Sequence, residues 1–444
     1  MPQNITRREF IEQSLTVGAV MAASYAMPMP VYSKSKSANE KLNIACVGTA
    51  NRASAAYSGL RNETFVAICD VDKRFLDKRA KDYPQATQYS DFRKMLEKEE
   101  KNIDAVYVAT PDHIHAPATA MALRMGKHAY TEKPIAHTVE ECRILAELAK
   151  RHKCVTQMGT QIHAGDNYRR VVELIQSGAI GKVREAHVWI GKSWSGGRFR
   201  TPKTPPAHLD WDLWLGPAPK QPYCDGIHPA NWRRYWDYGT GTLGDMACHF
   251  MDLVHWALDL RTPTKVWSEG PEVHEVGTPK WMIAHYEHPA RGEQPPVKVT
   301  WYDGGKRPEI LKKLKDKKGK SPNWGGGQLF VGDKGILLSD YGKYVLFPVE
   351  KFEGFTPPPQ TIAKSIGHHI EWTEACKGRG KTLCNFDYSG ALSETVLLGN
   401  VAFRCKQKLD WDPKTLRALN TKSADKFVRK EYRKGWDLVR DALS

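Results

Sequence analysis

An α/β N-terminal domain with a doubly wound parallel sheet, followed by an α+β C-terminal domain with a large, mostly antiparallel open sheet, is the fold class that this sequence predicts. Three observations carry it. From Leu42 onward, short apolar runs alternate with helical stretches at the spacing of βαβ units. Beyond Gly181, strand-like runs follow one another with few helices between them. At 444 residues the chain exceeds one ordinary hydrophobic core, so two domains with a cleft between them are the default. The predicted boundaries are a leader at 1–26, a linker at 27–41, the first domain at 42–160 and the second at 161–444.

The leader reads Thr6-Arg7-Arg8-Glu9-Phe10-Ile11 ahead of an apolar run from Leu15 to Ala26, with Ser24 and Ala26 as small residues at a cleavage site. It resembles a twin-arginine export signal, which predicts a periplasmic protein exported after folding. Its apolar run is too short and mild for a stable anchor, and no later run is long enough to span a bilayer. A hydrophobic share of 41% with 26% charged residues is that of a globular chain, which excludes a disordered one.

In the first domain, Ile44 to Val47 is a strand ending at Gly48, a helical segment follows, and Phe65 to Cys69 is a second strand ending at Asp70. Ile103 to Ala109 and His128 to Tyr130 continue the strand series. Periodic stretches at Ala116–Arg124 and Val139–Ala149 supply helices between them. In the second domain the strand-like runs are Val183–Ile190, Trp281–His288, Val297–Tyr302, Leu329–Val331 and Ile336–Leu338, with Gly332-Asp333-Lys334-Gly335 as a hairpin turn. Helices are predicted near Ile370–Cys376 and Ser389–Arg404, packing back on the first domain.

The formal net charge of +16 raises the question of nucleic acid, so its distribution matters. Much of the excess lies at 306–320, where Lys306, Arg307, Lys312, Lys313, Lys315, Lys317, Lys318 and Lys320 crowd a stretch bounded by glycines. Such a block reads as an exposed insertion, and no nucleic-acid partner is predicted; an anionic glycan stays open. The nine cysteines are odd in number and show no C-x-x-C spacing, so neither a zinc site nor a disulfide framework is indicated.

Gly48-Thr49-Ala50-Asn51-Arg52-Ala53 stands where a G-x-G-x-x-G fingerprint falls, with alanine at its second and third glycine positions. The alternative is an ordinary strand-to-helix turn. Asp70, at the end of the second strand, adds the carboxylate that accepts hydrogen bonds from an adenosine ribose and repels a 2′-phosphate. This points to a Rossmann domain with NAD; Lys73 and Arg74 keep NADP open.

Two further segments, Ala109-Thr110-Pro111-Asp112-His113-Ile114-His115 and Glu132-Lys133-Pro134, lie past later strands, at the carboxyl edge where open α/β sheets bind ligands. Together with the export signal they resemble the Gfo/Idh/MocA oxidoreductases, named for glucose–fructose oxidoreductase and inositol dehydrogenase. The resemblance covers almost the whole chain from Leu42. It implies that Lys133 projects between nicotinamide and substrate, that Glu132 contacts the cofactor, and that the large sheet dimerises the protein. The cofactor-binding set is then Gly48, Ala50, Asn51, Arg52, Asp70, Thr110, Pro111, His115, Glu132, Lys133 and Gln161.

In the second domain a glycine-rich turn opens a helix that carries Asp245, His249 and Asp252 at i, i+4 and i+7, one stripe on an otherwise apolar helix. Buried ionisable groups need partners or a task. The resemblance makes His249 the general base and Asp245 its orienting partner. Alcohol oxidation asks for such a base, since the hydroxyl proton must leave as hydride departs the same carbon. A structural ion pair, or metal ligation with His255, is the competing reading.

Upstream, Trp232 and Arg233 stand in a segment dense in aromatics and arginines, which suits the apolar faces and hydroxyls of a sugar, or equally an aromatic loop packed between domains. His163 is a second candidate for the substrate edge. The predicted protein is therefore an exported oxidoreductase with tightly bound NAD, acting on a secondary hydroxyl of a sugar, glycoside or cyclitol. The alternative is a glycoside-cleaving enzyme working by transient oxidation at C3 and elimination.

Overall fold

A computed structural model describes residues 40–440, so the leader and nearly all of the linker lie outside the described residues. The first sheet has six parallel strands: β1 (Asn43–Val47), β2 (Thr64–Cys69), β3 (Thr87–Tyr89), β4 (Ala105–Val108), β5 (His128–Thr131) and β6 (Thr156–Met158). Their order is β3-β2-β1-β4-β5-β6, so the topology reverses between β1 and β4. Near-continuous burial of Val, Ile, Ala and Tyr along β1, β2 and β4 reflects helices on both faces. β3 is absent from the sequence reading because Thr-Gln-Tyr is a polar, largely exposed edge strand with no hydrophobic signature.

The second sheet has nine strands in the order β13-β12-β11-β7-β10-β9-β8-β14-β15. They are β7 (Val183–Ile190), β8 (Lys265–Glu269), β9 (Ile283–His288), β10 (Val297–Tyr302), β11 (Gly326–Gly332), β12 (Ile336–Ser339), β13 (Tyr344–Phe347), β14 (Leu409–Asp412) and β15 (Arg417–Ala418). Within this sheet, among the described residues, only β7 and β10 pair in parallel. Ala186 and Val188 of β7, with Val297, Val299 and Trp301 of β10, point to the main core. That core is closed by the helices Gly241–Ala257 and Phe386–Cys405.

Two segments join the sheets. The Phe386–Cys405 helix packs against both Val139–Arg151 of the first domain and Gly241–Ala257 of the second. Near the C-terminus, Trp436 inserts beside Phe92 and Ile114, in the core behind the first sheet. The basic 306–320 stretch is less solvated than its charge suggests. Leu311 and Leu314 are buried against Trp189, Leu329, Leu338 and Phe347, so the segment covers part of the outer face of the nine-stranded sheet while its lysines reach outward. No helix among the described residues is long and apolar enough to cross a membrane.

Candidate active site

The carboxyl ends of β1, β2, β4 and β5 open into a groove with about 280 Å³ of free interior. Every residue assigned from sequence to cofactor binding lines it except Gln161. Gly48 sits in the left-handed region (φ 87°) and donates from its backbone N–H to the Cys69 carbonyl at 2.8 Å. A Cβ there would stand 2.6 Å from the carbonyl oxygen of Ala109, so the turn accepts only glycine and keeps β1 and β4 close beneath the groove. Ala53, at the third fingerprint position, is fully buried, where a methyl group is tolerated.

Asp70 is set by this turn. Its Oδ2 accepts from the Thr49 backbone N–H and hydroxyl, both at 2.9 Å, and Oδ1 accepts from the Asp72 N–H at 3.0 Å. The neighbouring cations are occupied elsewhere. Arg74 is clamped on the buried Asp72 through Nε and Nη2, and Lys73 pairs with Asp77. His228, from the second domain, also reaches Asp72 at 2.9 Å.

At the other end of the groove, Glu132 accepts from Tyr107 Oη at 2.5 Å and from Gln161 Nε2 at 3.1 Å, and pairs with Arg52 Nε at 3.3 Å. Gln161 thus acts on the groove through Glu132. The two ring nitrogens of His115 face the carbonyls of Pro134 (2.7 Å) and Thr110 (2.8 Å), so the ring ties the two ligand-facing turns together.

Lys133 reaches across to the second domain. Its Nζ donates to Asp245 Oδ1 at 2.7 Å, and Arg233 Nε donates to the same oxygen at 3.0 Å. Oδ2 of Asp245 accepts from Trp194 Nε1 at 2.6 Å and Lys192 Nζ at 3.2 Å. Burial alone raises the pKa of Asp245, but Lys133, Arg233 and Lys192 outweigh it and hold the carboxyl well below the usual range.

Four side-chain donors fill the Asp245 carboxylate, which acts on His249 through its charge; no hydrogen bond joins the two among the described residues. His249 stands one helical turn further along, half-buried. Burial first, then the charge of Lys133, pushes its pKa well below the ordinary imidazole value, with Asp245 pulling the other way. The ring is therefore held in its neutral form at neutral pH.

His163 does not face the groove. It is buried, with Nδ1 2.9 Å from Asp252 Oδ1, and stacks on Trp256 at 4.0 Å between ring centroids. Tyr388 Oη donates to the same Asp252 oxygen at 2.7 Å. The third member of the Asp-His-Asp stripe thus anchors His163 inside the fold, which sequence periodicity could not distinguish from a substrate edge. Trp232 and Arg233 do line the groove, the guanidinium lying 4.1 Å over the Trp232 ring. Lys192 and Trp194 were not foreseen, because they lie in an irregular loop after β7.

Comparison with known proteins agrees with this architecture. A family model described as an oxidoreductase family with an NAD-binding Rossmann fold matches residues 26–160, and one for the oxidoreductase family's C-terminal alpha/beta domain matches 169–293. Among curated relatives, a 1-carboxy-3-chloro-3,4-dihydroxycyclohexa-1,5-diene dehydrogenase of Comamonas testosteroni is 31% identical over 133 residues, covering 29% of this chain and 32% of the relative. A glycosyl hydrolase family 109 protein of Shewanella sp. (strain ANA-3) is 27% identical over 206 residues, covering 40% of this chain and 44% of the relative. The chain thus spans a third to under half the length of these curated relatives.

Among solved structures, the WlbA dehydrogenase of Bordetella pertussis, in complex with NADH and UDP-GlcNAcA, superposes with a TM-score of 0.58 at 14% identity, covering 83% of this chain and 98% of the other. A levoglucosan dehydrogenase in complex with NADH gives 0.55 at 15% identity, covering 83% of this chain and 98% of the other. At such identities the likeness is one of fold.

Proposed function

From the premise that the chain belongs to the Gfo/Idh/MocA oxidoreductase family, we propose that it is an NAD-dependent dehydrogenase acting on a secondary hydroxyl of a sugar, glycoside or cyclitol. The observation that carries this reading is the Lys133–Asp245 bond, which fixes an ammonium group in the lining of the groove, its partner aspartate one helical turn from a neutral histidine. The groove suits NAD: a glycine whose Cβ has no room, a carboxylate fixed for ribose hydroxyls, and neighbouring cations tied up elsewhere.

Bound NAD supplies the acceptor for the hydride that leaves the carbinol carbon. The chain's residues handle the rest. Lys133, held by Asp245, donates a hydrogen bond to the substrate oxygen and steadies the charge that develops there. His249 takes the hydroxyl proton, so the carbinol becomes a carbonyl with the proton on the imidazole.

Export in folded form by the twin-arginine leader, which lies outside the described residues, belongs to this proposal, as does homo-oligomer formation. The latter is supported by the outer face of the nine-stranded sheet, where Trp267 and His285 stack at 4.7 Å on strands left uncovered by the 306–320 segment. A second reading, favoured by the likeness to the family 109 protein, is glycoside cleavage through transient oxidation.

One experiment separates the two. The cofactor is released from the purified protein by denaturation and identified, and reduced nicotinamide absorbance is followed in the native protein during a sugar screen. Net reduction by a sugar supports the dehydrogenase; aglycone release without net redox change supports cleavage. Absence of any dinucleotide overturns both.

A further inference from the structure

The walls around Asp245 carry far more positive charge than one carboxylate needs. The loop after β7 contributes Lys192, and the Asn231–Arg234 turn contributes Arg233 and Arg234; Lys203, further along the first loop, is paired with Asp225 and takes no part. The fold brings these segments together around Trp194. Its backbone N–H donates to Thr242 Oγ1 at 2.7 Å and its carbonyl accepts from Thr278 Oγ1 at 2.7 Å, so the indole is held rigidly.

Three cations surround that ring: Lys192 at 4.8 Å, Arg233 at 5.5 Å and Arg234 at 5.7 Å from its centroid. Lys133, Lys192 and Arg233 all touch Asp245, and although Asp112 also feels Lys133 and Arg233, the cations outnumber the carboxyls here. Holding Asp245 does not require Lys192. With 42% of its side chain exposed, that ammonium keeps access to the solvent side. Such an unbalanced, partly desolvated wall attracts an anion and discriminates against a neutral ligand.

Resting on the dehydrogenase reading above, we propose that the substrate is an anionic sugar, a uronate whose carboxylate is received by Lys192 and Arg233 beside Trp194. The planar guanidinium and adjacent ammonium match the two oxygens of a carboxylate.

The test compares D-glucuronate, D-glucuronamide, D-glucose and D-glucose 6-phosphate with the NAD-loaded protein, by turnover and by calorimetric binding. Glucuronate is expected to exceed glucuronamide by about tenfold or more in kcat/KM, with the advantage shrinking as salt rises from about 50 to about 500 mM. Lys192→Ala removes that advantage and Lys192→Arg restores most of it. Equal or better use of glucuronamide or glucose, or a preference for glucose 6-phosphate, overturns the assignment while leaving the dehydrogenase intact. Glucuronate that binds in preference to its amide yet is never oxidised has the opposite meaning: the anion site stands and the redox reading falls. If glucuronate neither binds nor reacts, the assignment fails.

Discussion

Lys133 and Asp245, 112 positions apart, meet at 2.7 Å across the seam between the two sheets. The lysine follows a strand of the parallel sheet and the aspartate lies in the first turns of the Gly241–Ala257 helix. Both side chains are largely buried, and each would be costly to leave alone. The bond therefore fixes a cofactor-side residue by means of a base-side one, and the two halves of the site cannot drift independently.

Lys133→Met should lower kcat by about 100-fold or more while NAD stays bound, because it removes the donor to the reacting oxygen and only one of the many groups that line the cofactor groove. Asp245→Asn keeps the shape but leaves Lys133 buried beside an uncharged partner. It should cost about 3 kcal/mol of stability and lower kcat as well, through displacement of Lys133. Thermal unfolding, cofactor content after denaturation and kcat, measured on both variants, separate the two effects; a stable, fully active Asp245→Asn protein would show that the bond is incidental.

His249 is the expected base, and its surroundings set the pH behaviour. Burial and the Lys133 charge depress its pKa, so the neutral, proton-accepting form persists as the pH falls past the ordinary imidazole value of 6.5. The acid limb of kcat/KM should then lie below pH 6.5. His249→Asn should lose about 100-fold or more in kcat and lose that limb. A wild-type limb at the unperturbed value, or one that survives in the variant, assigns proton transfer to another group.

The strands and the cofactor turn were legible in the sequence because their signals are local: apolar runs ending at Gly48 and Asp70, and Pro111 and Pro134 fixing the turns beside them. The partners of Asp245 were not, since nothing in the loop that carries Lys192 and Trp194 marks it by periodicity. His163 shows the other limit. A histidine after a strand reads the same whether it faces a cleft or a buried Asp252, and only packing against Trp256 decides. β3, β8 and β13 to β15 escaped because they are short or broken by polar residues.

Cofactor choice should rest on Asp70. With its carboxylate pinned by Thr49 and with Arg74 clamped on Asp72, a 2′-phosphate would meet negative charge and find no free guanidinium beside it. Asp70→Ser should therefore narrow the preference for NAD over NADP by about tenfold or more, chiefly by weakening NAD and relieving repulsion of NADP. Titration of both cofactors into the apo protein measures it; an unchanged ratio would place discrimination elsewhere in the groove.

Acid should destabilise the protein before its ordinary surface carboxylates titrate, and the sign follows from the buried histidines. His113, His255 and His368 are buried, and burial pushes each from 6.5 to about 3. A folded-state pKa below the unfolded one means that the unfolded chain takes up the proton first, so stability is lost as pH falls below 6.5. At pH 5 each ring costs about 2 kcal/mol. Buried carboxyls act oppositely: burial raises Asp303 to about 7 and Asp112 to about 6, and Asp70, Asp237 and Glu394 shift upward too, so their penalty is relieved on acidification. Asp303 and Asp112 together return about 4 kcal/mol between pH 7 and pH 5, less than the three rings remove, and His137, His249, His288 and His369 shift in the destabilising direction too. Tm should fall from pH 7 to pH 5, and His255→Leu, which removes one such ring from its contact with His288, should make the fall shallower. A Tm that holds or rises over this range would mean that the buried carboxyls, not the histidines, govern the acid response.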